Sequence, residues 1–256
     1  MRRTLVFSIL FLLTMAILTL PTLAMTADQI FDEMEARQPD IETSRSTGSL
    51  IVVDARGNEE KREMIMFSQE EGDDTTSSIF RFLSPASVRD ITLLSLNDGD
   101  QIYLFMPAFR RVRRIAGAGR QETFAGTDFT YEDVGGMAFQ REDFNYTLIG
   151  EDEQNYYLAL IPLDEESEYS KQVMTVDREK FYLRKMEFYD LEGALWRVLE
   201  IHEIEVRDDG TNRFKKLSLT DVKENTKTLM NMGEVEENIT LPAGFFSVRT
   251  IQRPEL

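Results

Sequence analysis

Cysteine is missing from all 256 residues of this chain, and that absence removes several chemistries at once. No disulfide can staple the fold, no thiolate can serve as nucleophile, and no N-terminal cysteine can carry a lipid anchor. Histidine occurs once, at His202, so clustered His/Cys metal sites cannot form. His202 lies in the alternating run EIHEIE, where a solitary histidine reads as structural rather than catalytic. A GxSxG elbow, a phosphate loop and a dinucleotide fingerprint are missing from any strand-to-helix context. Basic residues are outnumbered: 29 Lys and Arg against 46 Asp and Glu give a formal net charge of −17. Such a chain repels nucleic-acid phosphates and adheres poorly, as a whole, to anionic headgroups. No catalytic residue, metal ligand or cofactor is expected, nucleic acid is excluded as a partner, and the chain does not read as an enzyme.

Long apolar runs are scarce too, with one exception. Arg2 and Arg3 precede an uncharged stretch at residues 4–20, Pro21 breaks it, and Thr22-Leu23-Ala24 puts small residues where a signal peptidase reads them. The competing reading is an uncleaved anchor, since 17 residues approach the lower limit for spanning a bilayer. The helix break and the small-residue site favour a leader, residues 1–24, cleaved after Ala24. Its removal takes away two arginines, so −17 becomes −19 over the remaining 232 residues. Residues 25–256 are then expected to form one periplasmic domain, long enough for a sizeable core.

Thr26 with Gln29 makes a capping box ahead of the apolar stripe Ile30, Phe31 and Met34, which predicts a helix over 26–37. Pro39 ends it. Ten short runs rich in Val, Ile, Tyr and Phe follow, at 48–57, 62–69, 77–85, 100–107, 144–152, 155–162, 171–179, 181–190, 196–206 and 213–222. Turn signals such as Ala55-Arg56-Gly57-Asn58 and Asp208-Asp209-Gly210 separate them, which predicts an antiparallel meander. So many strands cannot lie flat; twist makes the sheet curl or split. Short helical or turn segments are expected near 84–90 and 224–232, and a loop-rich stretch near 133–143.

The densest peculiarity is residues 103–133, YLFMPAFRRVRRIAGAGRQETFAGTDFTYED. An apolar strand runs through Pro107 into Arg110, Arg111, Arg113 and Arg114, four arginines in five positions, with Arg120 beyond. Two readings stand. The arginines pair internally with Asp128, Glu132 and Asp133, or they dock a lipid headgroup or an acidic partner, for which guanidinium forks are suited. The three acids would also suit a Ca²⁺ site or an acid–base pair, but they fit no EF-hand spacing.

This segment resembles the LolA-like outer-membrane lipoprotein-sorting proteins, and more narrowly the branch encoded with exporters of the resistance–nodulation–division (RND) type. The closing LPAGFFSVRTIQR, residues 241–253, resembles that family's strand end and extended tail. The resemblance implies a mainly β (α+β) fold: a single strongly curved antiparallel sheet forming an unclosed β-barrel with covering helices. It also implies an apolar concavity that receives lipid or lipoprotein acyl chains, and an inner-membrane exporter as partner. Alternation then suggests the lining. Arg81 should face water, turning Phe80 and Phe82 inward. MIMF and IYLFM are apolar on both parities, so one face is expected on the lining and the other under a helix; Met64, Met66, Ile102, Leu104 and Met106 are assigned to the lining. Against this carrier stand a non-carrying lipid-sensing or protein-docking module and a hydrolase built on the 128–133 carboxylates.

Overall fold

All ten short apolar runs become strands, and three further strands join them. The computed structural model describes residues 25–72, 75–135 and 140–256; the expected leader lies outside the described residues. In chain order the strands are β1 (Thr43–Val53), β2 (Glu59–Glu70), β3 (Thr76–Ser84), β4 (Thr92–Leu96), β5 (Gln101–Met106), β6 (Arg111–Ile115), β7 (Phe144–Glu151), β8 (Asn155–Pro162), β9 (Tyr169–Asp177), β10 (Leu183–Asp190), β11 (Leu195–Val206), β12 (Asn212–Asp221) and β13 (Thr226–Glu237). All belong to one sheet, ordered β6-β5-β4-β3-β2-β1-β13-β12-β11-β10-β9-β8-β7. Apart from the β1–β13 ladder, each neighbour in the sheet is a neighbour in sequence. Short turns suffice: at the first, the Asp54 carboxylate accepts the amides of Arg56 and Asn58 at 2.8 and 2.9 Å, and Gly57 takes φ +81°. β6 and β7 are the two edges and no ladder joins them, so the curled sheet is an unclosed barrel.

The expected first helix is α1 (Ala27–Ala36). Thr26 Oγ1 accepts the Gln29 amide at 3.2 Å and Gln29 Oε1 accepts the Thr26 amide at 2.9 Å, the reciprocal box that the spacing predicts. Ile30 and Phe31 on its inner side pack with Leu158, Leu160 and Met174, so α1 covers the β7–β10 end of the concave face.

Three expectations are corrected. Residues 226–232 are strand, not helix: β13 pairs with β1 and β12 on its two sides, and this double pairing overrides any local preference. Residues 241–253 are turns and one 3-10 turn, Thr250–Gln252, after β13 has ended at Glu237. Arg81 does not face water. It is 2 % exposed on the convex face, because the C-terminal tail lies over it. Its Nε donates to Thr92 Oγ1 at 2.8 Å and its Nη2 to the Ile251 carbonyl at 2.9 Å. Burial pushes its pKa down, with Asp90 opposing.

A fourth expectation falls with it: among the described residues the same tail, rather than an α-helix, covers the convex sides of β2–β5. Phe67 meets Phe245 edge-on at 4.9 Å, and Ile65, Ile79, Leu94 and Phe105 pack with Phe245 and Ile251. Replacing Arg81 with methionine should strip the tail carbonyls of their donors, at a cost of about 2–3 kcal/mol. The check is amide exchange: residues 245–253 should lose protection while β1 and β13 keep theirs.

Candidate ligand-binding concavity

Cross-strand register fixes which side chains look inward. Met64 stands opposite Phe82 and Met66 opposite Phe80; Phe80 stands opposite Leu93, and Leu93 opposite Leu104. Ile102 is paired with Ile115, and Met106 with Arg111. In the other direction the same face continues through Gly48, Leu50, Met230, Leu217, Leu219, Leu199, Met186, Met174 and Leu158. One apolar surface therefore crosses the concave side from β6 to β8. Met64, Met66, Phe80, Phe82, Ile102, Leu104 and Met106 all stand on it. Met64, Phe80, Phe82, Ile102 and Leu104 are buried, whereas Met66 and Met106 are half-buried.

What buries them is the chain's own segment 116–135, which enters the concavity after β6. Phe124 stacks on Phe82 with centroids 5.3 Å apart and meets Phe80 edge-on at 5.2 Å. Phe129, Tyr131 and Val134 complete the plug. It ends in the short helix α2 (Tyr131–Gly135), where Gly135 lies so close to Ile102 that a Cβ would sit 2.8 Å from Cδ1. Burial pushes the Tyr131 phenol up, with Arg113 opposing.

Polar clamps hold this apolar plug. Arg62 Nη1 donates to the Ala125 carbonyl at 2.7 Å. Arg197, on β11 and 3 % exposed, donates from Nη2 to Asp133 Oδ2 at 2.6 Å and to the Asp128 carbonyl at 2.7 Å, and from Nη1 to Tyr169 Oη at 2.5 Å. Burial opposes the Arg197 charge, but Asp133 and Tyr169 together outweigh it and hold the pKa above its ordinary value. Desolvation pushes the half-buried Tyr169 phenol up to about 12, with Arg197 opposing. The Asp128 carboxylate accepts Thr226 Oγ1 and, at 2.6 Å, Thr228 Oγ1. Asp128, Glu132 and Asp133 therefore do not converge: the first faces β13, the third Arg197, and Glu132 takes Gln121 and Arg120. Among the described residues no three His, Asp or Glu side chains group as a metal site.

Space remains at both ends of the plug. A cavity of about 260 Å³ opens at the Ser44 end, bounded by Ser46, Met66, Val134, Phe214 and Met232. Another of about 330 Å³ lies at the Val53 end, beside Thr127, Asp128, Trp196 and Arg197. Of the seven predicted lining residues, Met66 borders the first of these cavities.

The arginine cluster splits between its two readings. Arg113 pairs with Glu122 at 3.1 Å and Arg120 with Glu132 at 3.4 Å. Arg110, Arg111 and Arg114 are exposed and pair with no acid among the described residues. Arg111 and Arg114 sit on the edge strand β6, and Arg110 adjoins Phe109, which is 69 % exposed.

A family model described as "Uncharacterized protein" matches residues 49–253. A solved domain from Vibrio parahaemolyticus, described as a "putative outer membrane lipoprotein-sorting protein domain", superposes with a TM-score of 0.81 at 26% identity, over 88% of this chain and 97% of that one. The chain belongs to the family that this model describes, and its fold is LolA-like. A DUF1329-family protein from Desulfovibrio piger (TM-score 0.77, 21% identity, 87% and 96% covered) and a LolA-superfamily protein from Nitrosomonas europaea (0.69, 19%, 88% and 99%) share the LolA-like fold. No curated protein matches the chain in sequence. No described helix is long and apolar enough to cross a membrane.

Within this LolA-like frame, sequence reasoning missed the plug and its clamps. The signal was present in FAGTDFTYED, whose three aromatic residues crowd a polar loop, but their contacts with Phe80 and Phe82 span some forty residues. Arg197 carried no local mark at all. The lining contributed by β8–β13 was missed as well, although Met186 stands between the polar Lys185 and Glu187.

Proposed function

We propose that the chain is a non-catalytic periplasmic carrier that takes lipid or lipoprotein acyl chains into its concavity. The observation that carries this reading is the chain of apolar side chains that crosses the inner side of the sheet from β6 to β8, with cavities at both ends of a clamped plug. Burying each methylene contributes about 0.8 kcal/mol, so a few acyl chains displacing the plug would bind without bond chemistry. The likeness to the Vibrio domain described as lipoprotein-sorting supports the same cargo class. In this reading residues 1–24 are cleaved after Ala24 and 25–256 act as one domain. The likeness of residues 103–133 to the exporter-associated branch supports service to lipoprotein or lipid traffic or to an inner-membrane RND exporter. Arg110, Arg111 and Arg114, exposed near the β6 edge and paired with no acid among the described residues, are the docking residues for that partner or for headgroups, with Arg113 and Arg120 behind them.

The test is native mass spectrometry with lipid extraction on protein recovered from the envelope without detergent. Stoichiometric lipid adducts are expected, lost when Leu104 and Met106 are replaced by glutamate. A bare mass that takes up no added lipid sinks the carrier. One observation favours a second reading: five of the seven predicted lining residues are already covered by the chain's own aromatics. A permanently plugged barrel would be a docking module of the cell envelope, working through its edges and its free arginines.

A further inference from the structure

The two free edges of the sheet are built differently. β7 carries a register shift between Leu148 and Gly150, and α1 borders it: Tyr146 Oη donates to Asp28 at 2.6 Å, and Arg141 pairs with Asp32 at 2.7 Å. β6 pairs with β5 in unbroken register, from Ile102 opposite Ile115 to Met106 opposite Arg111, and no described strand pairs with its other side. Beyond Ile115 the chain turns into the concavity instead of running back along this edge. Arg113 is engaged with Glu122, whereas the side chains of Arg110, Arg111 and Arg114 make no hydrogen bond, ion pair or ring contact among the described residues. Alternation puts Arg111 on the concave face with Arg113, and Arg114 on the convex face with Val112. Phe109, 69 % exposed, stands beside Arg110 in the turn that joins β5 to β6. In a chain of net charge −17, one edge therefore offers unpaired backbone groups together with three unanswered cations.

We infer that the outer edge of β6 takes an acidic, extended segment of a partner protein as an added strand. Main-chain hydrogen bonds supply the affinity of such additions, and side chains at alternate positions supply the selectivity. Here the arginines set the pattern. An antiparallel guest needs one acid opposite Arg114 and a second opposite Arg111, three positions later and on the other face. Between them an apolar residue falls opposite Val112, and the guest then runs out past Arg110 and Phe109. Bilayer headgroups lie in one plane and reach the arginines of one strand face, whereas these arginines use both. A second copy of this edge would set arginine against arginine, and like charges directly opposite are destabilising. The inference rests on the docking role proposed for these arginines and chooses a protein over a headgroup; it is independent of what fills the concavity.

The probe is a capped, fluorescently labelled peptide, Thr-Glu-Thr-Val-Glu-Thr-Phe, titrated by anisotropy into protein produced from the full chain. A peptide with lysine in place of both glutamates should bind at least about tenfold more weakly. Arg111→Glu combined with Arg114→Glu should reverse that preference, which a loss of folding could not do. Two further peptides, N-methylated at the valine or at the threonine before it, separate strand addition from charge attraction. Successive amides of a strand point to opposite sides, so one methyl should weaken binding about tenfold and the other should be tolerated. If the double variant does not fold, this pair of peptides carries the test on the unsubstituted protein. Equal effects of the two methyl groups, or equal binding of the glutamate and lysine peptides, overturn the added strand. So does failure of the glutamate peptide to bind; phosphatidylglycerol vesicles that retain the unsubstituted protein and release the double variant then assign the arginines to headgroups. Lipid adducts decide the carrier separately, so either reading can fall without the other.

Discussion

Replacing Arg197 with methionine is expected to lower the unfolding midpoint by about 10 °C. Removing one partner of a buried ion pair costs about 3–5 kcal/mol, and each kcal/mol shifts a domain of this size by about 2–4 °C. The loss has a definite location. Asp133 would lose its cation, the Asp128 carbonyl its donor, and Tyr169 Oη its guanidinium partner, all at the point where residues 128–133 meet β11. Differential scanning calorimetry gives the size of the effect, and amide exchange gives its place. Protection should fall across 122–135 while the β1–β13 and β11–β12 ladders keep theirs. Uniform loss of protection would mean that Arg197 supports the sheet as a whole and that the segment is no separate plug. Arg197→Lys should recover only part of the midpoint, because an ammonium cannot hold a carboxylate, a carbonyl and a phenol in one plane.

A second large effect is expected for Phe124→Ala. Its ring lies between Phe80, Phe82 and Tyr131 and is 1 % exposed, so truncation should cost about 3–5 kcal/mol. The informative readout is what the vacated volume does. In a carrier, added fatty-acyl probe should enter the enlarged concavity, raise the stoichiometry of bound lipid, and restore part of the lost stability by mass action. In a permanently plugged barrel, the variant would be destabilised by the same amount and would bind no more probe than before. Fluorescence titration with an apolar dye, followed by a melting curve with and without lipid, separates the two.

Local chemistry was legible and long-range chemistry was not. Helix α1 could be read because its cap, stripe and stop lie within a dozen residues. The ten short runs could be read because most are rich in Val, Ile, Tyr and Phe between turn signals, and several write a half-buried strand's period into the chain. β6 hid behind its own charge: in RVRRI the apolar residues Val112 and Ile115 fall on opposite faces, so no alternation shows. β13 hid because Thr, Asn and Met alternate only weakly. The mixed parity of YLRKMEF has a structural cause, a register shift between Leu183 and Lys185 that lets both Leu183 and Met186 pack inward. Arg81 was assigned to water by a sound rule, yet the tail that covers it arrives from 170 residues away. The candidate site divides the same way. Side chains sharing a strand face were deducible, while what lies over them depended on a loop folding back across seven strands' worth of sheet.

The seam between β6 and β7 has a mechanical consequence. In a closed barrel the shear fixes the circumference, and admitting a thicker guest means breaking backbone ladders. Here twelve antiparallel ladders carry all the sheet's cohesion and the thirteenth contact is missing. The cylinder can widen or tighten by changing its twist, with every inter-strand hydrogen bond kept. Capacity is therefore an adjustable property of the wall, set by how far the two edges spread, and a single chain can accommodate guests of different girth at little conformational cost.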